Sequence, residues 1–154
     1  MFRVIARLAA LSMISIIGFG QTPTLSHRVF SLNKQAKDFY ATIVSIEPSL
    51  KAGSDRGDIE SINNLFEIDH ILVADLNHLY SLVYLSESLA CHEDKAIVTD
   101  LITNQRNDMS KMIDGAFGPI YVGISSTHNL KLIQVLNKFK DILKLERDLL
   151  DEIH

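Results

Sequence analysis

Between Asp58 and Asp114 the chain contains neither glycine nor proline, and its apolar residues recur at the period of a helix. In the first part, Asp58 to Ala90, Ile62, Leu65, Phe66, Leu72, Val73, Leu76, Leu79 and Val83 follow steps of three and four, which places them on one helix face. A single helix over the whole run would be about 85 Å long at 1.5 Å per residue, out of proportion to a compact domain of this size. A break is therefore expected near Cys91 to Asp94, where Glu93 and Asp94 suit the first turn of a new helix through its dipole. The expectation is one helix over about 58–90, capped by Asp58, and another over about 93–114, stopped by Gly115.

The flanking sequence supplies two more helices. Val29, Leu32, Ala36, Phe39, Tyr40, Ile43 and Ile46 form a stripe over about 26–47, with Ser26 as N-cap and Pro48 as terminator. Pro48 to Gly57 reads as a linker. Leu132, Val135, Leu136, Phe139, Ile142, Leu143, Leu149, Leu150 and Ile153 mark a helix over about 127–153. Four amphipathic helices without a strand pattern predict an all-α, antiparallel (up-down) four-helix bundle, a single domain over 26–154.

Phe117 to Ser126 reads as a second linker, because Gly118, Pro119 and Gly123 fall within ten residues. It also carries Phe117, Ile120, Tyr121 and Val122. Such a loop either folds back as a lid on the bundle end or serves as a contact surface for a partner. These four residues are the candidate partner contact.

The N-terminus has the layout of a secretory signal peptide over 1–20. Arg3 and Arg7 precede an apolar run from Leu8 to Ile17, and small residues at Gly18 and Gly20 lead to polar Gln21, with 21–25 as a lead-in. The apolar run is shorter than the ~20 residues that span a bilayer, so a cleaved signal is expected rather than an anchor, and the mature protein is expected to be secreted or periplasmic, with no stable membrane span. Cleavage after Gly20 leaves 13 basic against 19 acidic side chains, a formal charge of −6. That balance disfavours nucleic acid and anionic membranes and is compatible with a basic protein partner. Cys91 is the only cysteine, which excludes an intramolecular disulfide; a lone thiol of this kind is expected to be a small core or near-surface residue, with intermolecular pairing as the lesser reading.

Tests for chemistry are negative. Glu67 and His70 have the Glu-x-x-His spacing of di-iron bundles, and Asp151 and His154 share a comparable spacing. On the helical wheel, however, Glu67 lies almost opposite the apolar stripe and His70 about 120° from it. No histidine pair has i, i+4 spacing, and GxSxG, GxxxxGK[ST], GxGxxG and CxxCH are all absent. Asp69, Glu87, Gln105 and Glu146 do fall on apolar stripes; edges and bundle ends are their expected locations, since buried carboxylates are costly. Counted from the predicted helix starts, Asp69 and Glu146 would lie about 12 Å apart along the bundle axis. No catalytic residue, cofactor or metal site is assigned. The functional expectation is a small exported, non-enzymatic protein-binding module, inhibitor- or immunity-like. The alternatives are a carrier of a small apolar ligand and a metal-dependent bundle enzyme.

Overall fold

The computed structural model describes residues 23–153. The expected signal peptide over 1–20 and the expected cleavage site lie outside the described residues. Four helices follow in order: α1 (Leu25–Lys51), α2 (Arg56–Ser88), α3 (His92–Ser126) and α4 (Leu130–Asp151). α1 packs on α2 and α4, α3 packs on α2 and α4, and α2 meets its diagonal partner α4 only lightly. Connections of three or four residues force each helix to run antiparallel to the one before, giving the up-down bundle. No described helix is long and apolar enough to cross a membrane.

The predicted stripes become the core. Ile43, Ile62, Leu65, Leu72, Leu76, Leu79, Met109, Ile113, Leu132, Leu136 and Phe139 are all fully buried. Each such side chain contributes roughly 1.5–3 kcal/mol by leaving water. Phe39 and Phe139 stack across the α1–α4 interface with ring centroids 5.4 Å apart.

Helix ends are fixed by side chains other than some of those expected. The Thr24 hydroxyl, not that of Ser26, accepts from the His27 amide at α1, while the Ser26 hydroxyl donates to Glu87 at 2.5 Å and ties α1 to the end of α2. Asp55, not Asp58, caps α2, accepting from the Asp58 amide at 2.8 Å. Asn129 caps α4 through the amides of Lys131 and Leu132, so Thr127 lies before that helix. Gly53, at φ 79°, takes the left-handed turn between α1 and α2. The break between α2 and α3 falls at Leu89–Cys91, close to its expected place, and Cys91 lies exposed at the N-cap position of α3, outside the core.

The main departure concerns Phe117 to Ser126. It is not a linker but the last third of α3, which runs past Gly115 and through Pro119. Met109, Ile113, Ala116, Ile120 and Gly123 continue one buried face at steps of four and three, so tertiary packing overrides the local breakers. Gly115 and Gly118 each disfavour a helix by about 1 kcal/mol and Pro119 by about 3 kcal/mol. Pro119 also leaves the Gly115 carbonyl without its usual helical donor, on an exposed side of the helix. α1 behaves likewise on a smaller scale, continuing through Pro48 to Lys51.

Candidate functional site

Two features stand out from a well-packed bundle: a pair of carboxyl groups inside it and a groove on its outside. Asp69 of α2 and Glu146 of α4 are both fully buried on the core faces of their helices, rather than at the edges or bundle ends expected for them. None of their four carboxyl oxygens has a hydrogen-bond partner. Burial pushes the Asp69 carboxyl up to about 7. Burial also raises Glu146 well above the ordinary carboxylate range, and the nearby charge of Asp69 raises it further. The expected 12 Å offset fails because both helix starts move. Asp69 is 13 residues from the start of α2 and Glu146 is 16 from the start of α4, an axial difference of about 5 Å. The remaining stripe polars fit their expectation: Glu87 is exposed at the bundle end, and half-buried Gln105 bonds His78 at 3.0 Å and Asp75 at 3.1 Å.

The groove lies between α2 and α3. Asn64, Glu67, Ile68 and Ile71 form its α2 wall; Met112, Gly115, Ala116 and Pro119 form its α3 wall, around a volume of about 310 Å³. Gly115 has nothing within 4 Å of where a Cβ would stand, and Pro119 adds only a short ring, so the α3 wall is low. Ile71 stays exposed beside it, and Val122, three residues beyond Pro119 on the same helix face, is 64 % exposed. The His78–Gln105–Asp75 hydrogen bonds close the interface below.

Charge is divided along the same line. α2 carries six acidic side chains against one basic, and α3 five against three. α1 carries two acidic against four basic, and α4 four against five. Of the α3 cations, Arg106 turns to α4 and donates to the Leu150 carbonyl at 2.8 Å, and Lys111 lies beside Asp108. The α2–α3 face is thus strongly acidic on a bundle whose other face is mildly basic.

The four candidate contact residues do not form one surface, because on a helix they point in different directions. Ile120 is core, at 2 % exposure. Phe117 packs against the core and stacks with Tyr121 at 6.2 Å, and the Lys140 ammonium from α4 lies 5.6 Å from the Tyr121 ring centroid. Val122 is the most exposed of the four. The residues of the α2–α3 groove were missed, and the signal that could have found them is the recurrence of Met112, Gly115, Pro119 and Val122 on one helix face.

Glu67 and His70 sit on the exposed side of α2 as the wheel predicts, and the His70 ring lies 6.0 Å from that of Tyr40. Asp151 pairs with Arg147, and His154 lies outside the described residues. Among the described residues, no three His, Cys, Asp or Glu side chains converge as a metal ion would require. Comparison with protein-family models, with curated proteins and with solved structures finds no match to this chain.

Proposed function

We propose that this is an exported, non-enzymatic protein-binding module whose partner is a basic protein, a role of the inhibitor or immunity kind. The carrying observation is the segregation of charge: leaving out buried Asp58 and Asp69, nine acidic against four basic side chains reach the surface on α2 and α3. Such one-sided fields speed encounter with an oppositely charged surface and reject like-charged ones.

The test is crosslinking in native extracts of the protein's own host, followed by native mass spectrometry. The expected result is a second chain of net positive charge whose association weakens as salt rises from about 50 to 500 mM, where screening shortens to a few ångströms. A monomer that acquires no crosslinked chain at low salt overturns the proposal.

A further inference from the structure

We propose that the α2–α3 groove is the seat of a basic amphipathic helix presented by the partner protein. This inference rests on the binding-module reading and adds the surface and the shape of what it takes. The floor of the seat is made of the residues least suited to the helix they belong to, Gly115 and Pro119, at a level where α3 could carry any good helix former. Without a side chain at Gly115 the α3 backbone is open to close approach from outside, since a Cβ there would meet nothing within 4 Å. Ile71 and Val122 flank this low wall as exposed apolar residues. From Met112 to Val122 the seat is about 15 Å long, the length of roughly three turns of a docked helix. A helix laid there would bury apolar residues at i, i+3, i+4 and i+7.

The rim determines the partner's charge. Glu67 lines the seat, Glu60 is exposed two turns earlier on the same face of α2, and α2 has no cation beyond Arg56 at its first position. Lysine or arginine flanking the apolar face of the docked helix would complement them. An anionic membrane surface, which also attracts basic amphipathic helices, would be repelled by the same rim.

The experiment measures fluorescence anisotropy of a labelled leucine–lysine amphipathic peptide, about four turns long, titrated with the protein. Gly115→Leu fills the floor and Glu67→Lys reverses the rim, while Asp148→Lys makes the same charge change on exposed α4. Saturable binding is expected for the parent protein, weakened about tenfold or more by Gly115→Leu and by Glu67→Lys and unchanged by Asp148→Lys. Thermal melts of the variants confirm that the bundle is intact. Absence of saturable binding overturns the inference, as does equal weakening by Asp148→Lys, which would mean undirected attraction. So does a dimer in sedimentation velocity that Gly115→Leu abolishes, since the groove would then seat a second copy. A host partner whose crosslink survives Gly115→Leu leaves the binding-module reading standing and refutes the groove. The absence of any host partner refutes the reading itself.

Discussion

Raising the pH through neutrality is expected to loosen this bundle, and Asp69 sets the size of the effect. Its carboxyl is pushed up from 3.8 to about 7 in the folded chain by burial alone. In the unfolded chain it ionises near the ordinary value, so between these two pH values the folded state holds a proton that the unfolded state has released. Stability then falls with rising pH, by about 1.4 kcal/mol per unit. The full window is worth about 4 kcal/mol, of which about 3 kcal/mol lies between pH 5 and 8.5. Glu146, raised by burial and by Asp69, acts in the same direction. The Arg28–Glu152 pair works oppositely: the Glu152 carboxyl is lowered by its hydrogen bond and charge contact with Arg28, so its contribution is lost only toward acid. Working above pH 5 therefore isolates the buried pair. Urea unfolding followed by far-UV circular dichroism reads the change, and with a slope of roughly 1.5 kcal/mol per molar urea the midpoint should fall by at least about 2 M from pH 5 to 8.5, the part due to Asp69 alone. Asp69→Asn keeps the shape and removes one of the two ionising groups, while Glu146 stays raised by its own burial, so the fall should become shallower without vanishing. A midpoint that stays level from pH 5 to 8.5, or an Asp69→Asn protein that falls as steeply as the parent, would refute this account.

Two glycines of α3 should respond in opposite directions to alanine. At Gly123 a Cβ would stand 3.0 Å from Leu136 Cδ1 and 3.2 Å from Ser61 Oγ, where α2, α3 and α4 meet, and overpacking should outweigh helix propensity by about 1 kcal/mol; at open Gly115 alanine should stabilise by up to about 1 kcal/mol, both read from thermal melts. Asn129→Ala should cost about 1–2 kcal/mol in the same assay, because Asn129 caps α4 and also donates to the Leu50 carbonyl and the Ser54 hydroxyl across the end of α1.

The stripes were legible because they depend on spacing alone. Ile62, Leu65, Leu72 and Leu76 are buried where the period put them, and Glu67 and His70 are exposed for the same reason. The charge balance was legible only as a total, because its division between α2–α3 and α1–α4 needs the helix boundaries. The buried acids were half legible. Their place on the core faces followed from the wheel, but the expectation that cost would drive them to an edge did not hold. A protonated carboxyl is far cheaper to bury than a carboxylate, and within a regular helix the position of a residue fixes the face onto which its side chain projects. For Cys91 the sequence left core and near-surface both open, because the burial tendency of a thiol is statistical, whereas its N-cap position is dictated by where α2 ends.

The misreading of Phe117 to Ser126 has the same origin as the groove. Glycine and proline act on the local backbone, so a segment holding Gly118, Pro119 and Gly123 reads as a loop when judged by its neighbours in sequence. What keeps it helical is non-local: Ala116, Ile120 and Gly123 extend a buried face begun at Met109, and Gly123 lets Leu136 and Ser61 close in. Gly123 is thus explained by packing. Gly115 and Pro119 are not, since the first touches nothing that a Cβ would disturb and the second is exposed. Stability alone would favour ordinary helix formers at both positions. Sites where a sequence keeps a locally poor choice without a packing reason are where function is expected to reside. Here the two positions adjoin, on the acidic side of the bundle, and leave bare the stretch of α3 that faces the groove.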